Sequence, residues 1–157
     1  MKKKIAAVIM TAALTAGMAL PAGAETMSVT YRQPNEYTVT IPSSVALAKG
    51  GGSTKIEVKD VNIEPNTKID FKISAGVGEK GAVELSRTDD ADTKAVTTVS
   101  KTKGGEGIQA GAVFASFTAN GSQELFFTEA VAKDGSELKA GTYKGTLTFT
   151  VEAPQKN

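Results

Sequence analysis

The chain has 157 residues, of which 40% are hydrophobic and 6% aromatic, and its formal net charge is +1 at pH 7. It contains no histidine and no cysteine, which excludes Ser-His-Asp and Cys-His catalysis, histidine-ligated zinc and disulfide bridges. Its charges are scattered without a basic stripe, so nucleic-acid binding lacks the electrostatic footprint that it requires.

The first 24 residues have the pattern of a secretory signal peptide. Three lysines at 2–4 precede an uncharged, largely apolar run over residues 5–20, and Ala22-Gly23-Ala24 supplies a small-x-small cleavage site. The run is shorter than the roughly 20 apolar residues of a spanning helix, and no cysteine follows it for a lipid anchor. We therefore expect cleavage after Ala24, a secreted or extracellular location, and a mature chain, residues 25–157, without a membrane span.

The mature chain has the size of a single domain and, with three lysines removed, a net charge of −2. Chains of this size bury roughly two thirds of their unfolded surface, so a core forms without disulfides. Exported proteins that lack cysteine are common in Gram-positive bacteria, which favours such a host.

Period-two segments separated by turn residues fill the mature chain, as in all-β sandwiches and barrels. In chain order they are residues 28–33, 37–41, 55–63, 68–75, 82–86, 95–100, 112–119, 122–128 and 141–152. The apolar alternation slips near Lys59-Asp60, which predicts a β-bulge. Asn120-Gly121 between two alternating runs predicts a two-residue type I′ hairpin, and residues 130–132 are compatible with a short turn of helix.

About 7–9 strands with one apolar face each need a second sheet to cover them. The prediction is an all-β fold, an immunoglobulin-like β-sandwich of mostly antiparallel strands. The Cys-Trp-Cys signature of antibody domains is absent, because the chain has neither residue type.

The last strand alternates between an apolar face and a face of threonines. Tyr143, Leu147, Phe149 and Val151 form its apolar face and are expected to point into the core. Gly145 interrupts that face, and a glycine inside a strand marks a bulge or a close backbone approach.

Two motifs could carry chemistry. Ser136 and Lys139 match the S-x-x-K pattern of serine-lysine nucleophiles, but its companion elements S-D-N and K-T-G are missing and the motif precedes a strand. Asp89, Asp90 and Asp92 could offer oxygens to calcium, but neither register has the glycine and glutamate of an EF-hand loop. We interpret the first as a chance match and the second as a solvated acidic loop.

The remaining motifs also favour a protein without catalysis. Glycines at 50–52 and 104–105 lack the lysine-serine ending of a phosphate loop and are interpreted as hinges. Asn120-Gly121-Ser122 has the form of a sequon but is expected to be unmodified in a tight turn. Only six phenylalanines and three tyrosines exist, too few to line a glycosidase cleft once the core is filled. The prediction is no enzyme, no cofactor and no metal.

The closing segment KAGTYKGTLTFTVEAP resembles the last strand of secreted Gram-positive surface domains. The family that it resembles is the WxL cell-wall-binding family, whose two Trp-x-hydrophobic motifs would correspond to Phe71-Lys72-Ile73 and Phe149-Thr150-Val151. Both tryptophans are replaced by phenylalanine here. The resemblance implies a surface sandwich, and fimbrial and pilin-type sandwiches end in similar strands.

Two functions are compatible with this pattern. The first is a secreted, cell-surface-associated, non-catalytic sandwich that acts in adhesion or binds a cell-wall polymer or another surface protein. The alternative is a pilin-like structural subunit that assembles by strand exchange, with residues 25–33 as the donor strand, separated from the body by Pro34. The sequence leaves the oligomeric state open.

Overall fold

The computed structural model describes residues 2–4 and 28–156. The predicted signal peptide, residues 1–24, lies outside the described residues except for Lys2–Lys4. In the described part of the chain the fold is all-β with one short 3-10 helix, Glu79–Gly81. None of the helices in that part is long and apolar enough to cross a membrane.

The strands are β1 (Lys2–Lys4), β2 (Glu36–Thr40), β3 (Gly52–Asn62), β4 (Thr67–Ala75), β5 (Ala82–Arg87), β6 (Lys94–Ser100), β7 (Val113–Phe117), β8 (Gly121–Phe127), β9 (Val131–Ala132), β10 (Tyr143–Lys144) and β11 (Thr148–Lys156). The larger sheet has the order β1-β2-β3-β8-β6-β5-β10, with β9 also paired to β6. The smaller sheet has the order β11-β4-β7. All pairs are antiparallel, and the predicted sandwich is confirmed.

The core lies between the two sheets and is centred on the inward face of β4. Ile69, Phe71 and Ile73 alternate along that strand and are fully buried, as their period-two spacing predicts. They share one cluster with apolar side chains of β3, β6 and β8. Phe71 also contacts Phe117 edge-on, at 5.4 Å between ring centroids, a favourable aromatic geometry.

The predicted β-bulge in β3 is confirmed. Glu36 pairs with Asn62 but Thr38 pairs with Lys59, so β3 has one more residue than β2 over this interval. Asp60 takes up the extra length with φ of 54°, and its carboxylate accepts a hydrogen bond from the Thr38 hydroxyl at 2.9 Å. The bulge therefore realigns the apolar face of β3 with the core.

The predicted type I′ hairpin at Asn120-Gly121 is wrong. Strands β7 and β8 belong to different sheets, and neither Asn120 nor Gly121 has the positive φ that this turn needs. The segment instead crosses from the smaller to the larger sheet. The Asn120 side chain accepts a hydrogen bond from the Val61 backbone N–H at 2.9 Å, and a Cβ at Gly121 would lie 2.9 Å from the Phe117 ring.

Two further local predictions are wrong. Residues 28–33 form no strand and are exposed throughout, because their alternation has no neighbouring strand to pair with in this structure. Residues 130–132 contain a strand rather than a turn of helix: Val131 and Ala132 pair with Val96 and Ala95 of β6.

The predicted last strand, residues 141–152, is divided between the two sheets. Its first part, β10, pairs with β5, and its second part, β11, pairs with β4. Gly145 lies at the crossing, where an added Cβ would be 2.6 Å from the backbone oxygen of Glu84. The close backbone approach predicted for Gly145 is confirmed, and strands that change sheets form the corners of sandwiches.

The predicted inward orientation of the apolar side chains is confirmed in β11 and just before it. Leu147, Phe149 and Val151 are half-buried and pack against the core, whereas Thr148 and Thr150 are exposed. Tyr143 is the exception. Its ring lies outside the core cluster, and its hydroxyl donates to the backbone oxygen of Lys139 at 3.0 Å.

We expect Gly145→Ala to destabilise the fold by about 1–3 kcal/mol, because the added methyl meets backbone that cannot easily move. Gly78→Ala is the matched control, since it has an ordinary negative φ of −97° and no neighbour within 3.6 Å of an added Cβ. The control should change stability by no more than about 1 kcal/mol in either direction. Urea melts of both variants check this, and equal stabilities would contradict the close approach.

Truncating Phe71 to alanine should cost about 3–5 kcal/mol, since it leaves a cavity in a fully buried site. Phe149→Ala should cost less, because its half-buried ring removes less surface from water. Thr148→Ala should stay within about 0.5 kcal/mol, as exposed substitutions usually do. Denaturant midpoints in that order support the assignment, and a Phe149 variant as mild as the Thr148 variant would place the ring on the surface.

Candidate functional site

An open cleft of about 280 Å³ lies beside β6, β9 and β10, and we call it the edge cleft. It is lined by residues 92–94, 132–134 and 136–139, and by Tyr143. Two segments far apart in sequence, one over residues 92–94 and one between Ala132 and Tyr143, therefore meet there. Leu138 and Tyr143 are half-buried, whereas most of the charged side chains around them are exposed.

Backbone hydrogen bonds position these segments. The Arg87 N–H donates to the Thr93 carbonyl at 3.0 Å and closes the loop between β5 and β6. The Lys133 N–H donates to the Lys94 carbonyl, also at 3.0 Å, which holds the strand after β8 against β6. The Thr88 N–H donates to the Thr142 carbonyl at 2.9 Å and fixes the start of β10. The cleft is thus built from loops on a rigid sheet, an arrangement typical of binding sites.

Asp134 and Ser136 form a tight local turn in the cleft wall. The Asp134 carboxylate accepts hydrogen bonds from the Ser136 hydroxyl at 2.6 Å and from the Ser136 backbone N–H at 3.0 Å. The hydroxyl bond first, and the backbone bond second, lower the pKa of Asp134 below its ordinary value. Asp134 is therefore ionised and a weak base at neutral pH.

The structure brings both members of the S-x-x-K match, Ser136 and Lys139, to the wall of the edge cleft. The hydroxyl of Ser136 donates to Asp134 and not to the lysine amine. A serine nucleophile needs a nearby base that accepts its proton, and the carboxylate that occupies this position has a lowered pKa. The geometry is that of a turn rather than of an activated serine.

The carboxylates of the acidic loop, Asp89, Asp90 and Asp92, do not converge on one site. The Arg87 guanidinium donates to both oxygens of Asp89, at 2.6 and 2.8 Å, which lowers the pKa of Asp89. Asp90 accepts from the Thr93 hydroxyl at 2.6 Å, and its pKa is lowered by that bond. Asp92 alone of the three lines the edge cleft. Across residues 2–4 and 28–156, no group of three or more His, Cys, Asp or Glu side chains could hold a metal ion.

Glu84 organises the basic side of the cleft. Its carboxylate forms ion pairs with Lys133 and, at 3.5 Å, with Lys94. The bond from Lys133 is the main cause of the lowered pKa of Glu84. The two lysines are thereby held on one wall, while Asp134 and Glu137 lie on the segment that follows. The cleft therefore offers positively charged hydrogen-bond donors, from lysines, and negatively charged acceptors, from carboxylates.

The two motifs that resemble those of the WxL family lie side by side on neighbouring strands. Ile73 pairs with Phe149, and Phe71 pairs with Val151. Both phenylalanine rings point inward: Phe71 is fully buried and Phe149 is half-buried. Neither ring forms an exposed aromatic platform, so these rings serve the core.

The glycine segment predicted as a hinge at residues 50–52 is a tight turn. Ala48 and Gly51 exchange backbone hydrogen bonds of 3.0 and 2.9 Å, and Gly50 and Gly51 have φ of 93° and 96°. An added Cβ at Gly51 would lie 2.1 Å from the Phe127 backbone oxygen. Glycine is required here for conformation and close packing rather than for flexibility.

Sequence reasoning missed the edge cleft as a site. Glu84, Lys94 and Lys133 lie on three different strands or loops, and no local motif links them. The one local signal was Asp134-Gly135-Ser136, a composition typical of an Asx turn. Comparison with known proteins adds no further candidate residues: no protein-family model matches the chain, and no curated protein matches it by sequence.

The Ser136→Ala variant should raise the pKa of Asp134 toward its ordinary value, because the hydroxyl bond that stabilises the carboxylate is lost. The sign follows from linkage: a carboxyl pKa lowered on folding stabilises the native state above the unfolded pKa, and that contribution disappears as pH falls through the folded pKa. Carboxyl NMR titration measures the midpoint. Ser43→Ala, an exposed serine outside the cleft, should leave it unchanged, and an unshifted Ser136 variant would contradict the assigned cause.

Proposed function

We propose that this protein is a secreted, cell-surface-associated, non-catalytic β-sandwich that binds a cell-wall polymer or another surface protein through the edge cleft. The observation that carries the proposal is the cleft itself. It is open, it lies on loops that backbone hydrogen bonds fix to the sheet, and it combines exposed charges with a small apolar floor.

The floor and walls of the cleft suit a polar partner rich in hydroxyl and charged groups. Leu138 and Tyr143 supply half-buried apolar surface. Around them, Lys139, Asp92 and Glu137 are exposed and can exchange water for ligand hydrogen bonds. Binding sites commonly combine a small apolar surface with a few oriented polar groups.

The chemistry of the cleft favours binding over turnover. The chain has no histidine or cysteine, and the hydroxyl of Ser136 is held by a carboxylate of lowered pKa. A general base works best when its pKa lies near the operating pH, which Asp134 does not satisfy. The lysines at 94 and 133 form ion pairs with Glu84, and the hydroxyl of Ser136 bonds to Asp134 instead.

The N-terminal sequence supports the proposed location. Residues 1–24 combine a basic start, an apolar run and a small-residue cleavage site. A secreted binding protein retained by non-covalent contacts is compatible with the exposed, mixed-charge surface of the cleft.

Co-sedimentation with isolated cell envelopes of the producing organism tests this proposal. The secreted protein should pellet with envelopes, and Lys139→Glu should weaken retention by about tenfold, since loss of one charge-assisted contact changes affinity by that order. Lys101→Glu is the matched control, because it reverses a charge on an exposed lysine that does not line the cleft.

Equal retention of wild type and Lys139→Glu would contradict the assignment of the cleft. Absence of retention on envelopes would contradict surface association. Turnover of a glycan, peptide or ester by the wild-type protein that is lost in Ser136→Ala would contradict the non-catalytic assignment.

A further inference from the structure

The segment over residues 28–33, which we call the arm, has the side-chain pattern of a strand but forms none in this structure. Val29 and Tyr31 are 81% and 78% exposed. Two large apolar residues at a spacing of two would face the same side of a strand. Covering both with a partner would remove apolar surface from water, which is favourable.

The outer edge of β2 accepts a further strand. In this structure β1 occupies that edge, with Lys2 opposite Thr40, Lys3 opposite Val39 and Lys4 opposite Thr38. Strand β1 belongs to the predicted signal peptide. Its removal on export would leave the N–H and C=O groups of this edge unpaired, and an unpaired edge is a template for strand addition.

We propose that the arm of a second copy of this chain replaces β1 on the edge of β2, so that exported copies assemble by strand exchange. The proposal rests on the export stated under the proposed function and adds a second contact, between copies of the chain, at the end of the larger sheet away from β10 and the edge cleft. Main-chain hydrogen bonds would provide the affinity, and the alternating side chains would provide the register.

The side chains fix the register. Tyr37 and Val39 of β2 are half-buried and pack against the core. An antiparallel arm with Val29 opposite Val39 and Tyr31 opposite Tyr37 would place both exposed apolar residues on this inward side. Residues directly opposite in an antiparallel pair lie close enough to pack.

The same register matches the other face. Ser28 and Thr30 would lie opposite threonines of β2, and Arg32 would lie opposite Glu36. Opposite charges at a cross-strand pair are favourable. A shift of two residues along β2 would lose the Arg32–Glu36 pair, so apolar and charged positions agree on one alignment.

Two features oppose closure of the arm onto its own β2. In this register the reversal would have to occur over Gln33, Pro34 and Asn35, and the usual three-residue hairpin loop begins with a helical residue. Pro34 disfavours a helical conformation at Gln33. Asn35 is also fixed, because its side chain accepts a hydrogen bond from the Glu64 N–H at 2.9 Å. This contact holds the residue before β2 beside the turn after β3.

Each copy would carry one donor arm and one acceptor edge. Such heterologous contacts give rings when the rotation closes and filaments when it does not, while two copies that exchange arms form a dimer. The common prediction is an intermolecular contact between the arm and β2, whichever assembly results.

The test uses two single-cysteine variants, Thr30→Cys and Thr38→Cys, of the full chain expressed in a secreting host. The native chain has no cysteine, so a disulfide between the mixed proteins is intermolecular. Opposed residues in an antiparallel pair lie within the Cα separation that a disulfide spans. We expect a covalent dimer at about ten times the yield of Thr30→Cys mixed with Thr150→Cys, an exposed site on β11, because pairing raises the effective concentration.

Mass spectrometry of the secreted protein reports whether residues 1–24 are removed. A secreted chain that retains them, and so keeps β1, would overturn the proposal. A disulfide that forms inside monomers of the double variant Thr30→Cys/Thr38→Cys, with none between mixed single variants, would also overturn it, since the arm would then close on its own chain.

A second variant keeps the test independent of cysteine chemistry. Val29→Ser/Tyr31→Ser should be monomeric by size exclusion where the wild type assembles. At dilutions where the wild type is also monomeric, the variant should have the wild-type urea midpoint, because both residues lie outside the core. A wild type that is monomeric at all concentrations would overturn strand exchange. If that monomer still pellets with envelopes, only the exchange fails; if the assembled wild type does not pellet, only the envelope binding fails.

Discussion

The structure depends on the burial of one strand face. Strand β4 is the centre of the smaller sheet, and Ile69, Phe71 and Ile73 are its fully buried side chains. They lie in one continuous apolar layer with side chains of both flanking strands and of the larger sheet. Without disulfides, this layer must supply most of the stability, since a cysteine-free domain has only burial and hydrogen bonds to offset chain entropy. The strands of the larger sheet pack on this face and keep it covered.

The chain crosses between the sheets five times, and two of these crossings show how this requirement is met. The segment at Asn120 carries the chain from β7 to β8, and the segment at Gly145 carries it from β10 to β11. At each, a glycine allows close approach, to the Phe117 ring in the first case and to the Glu84 backbone in the second. The second crossing also determines the edge cleft, because it leaves Tyr143 on the larger sheet beside the loops while Phe149 enters the core. One backbone constraint therefore separates a residue of the cleft wall from a core residue within a single run of alternating residues.

The sequence was sufficient for features that local periodicity controls. The alternation of β4, the slip at Lys59-Asp60 and the inward Phe149 were all readable, because side-chain direction in a strand has a fixed period of two. It was insufficient where tertiary pairing decides. Asn120-Gly121 has hairpin composition, yet its neighbours pair with different sheets. The edge cleft was unreadable for the same reason: Glu84 and Lys133 meet only because β5 and β9 both pair with β6.

The arm and the core are energetically independent, and this independence makes strand exchange compatible with a stable fold. Val29 and Tyr31 contribute nothing to the core cluster, so detaching the arm from one chain and adding it to another removes no buried contact from either sandwich. The inward side chains of β2, by contrast, are only half-buried, so an added strand gains apolar contact that the isolated domain lacks. Burial of apolar side chains at the edge of β2 would then drive strand addition. Pro34 would favour addition of the arm to β2 of a neighbouring chain over addition to β2 of the same chain.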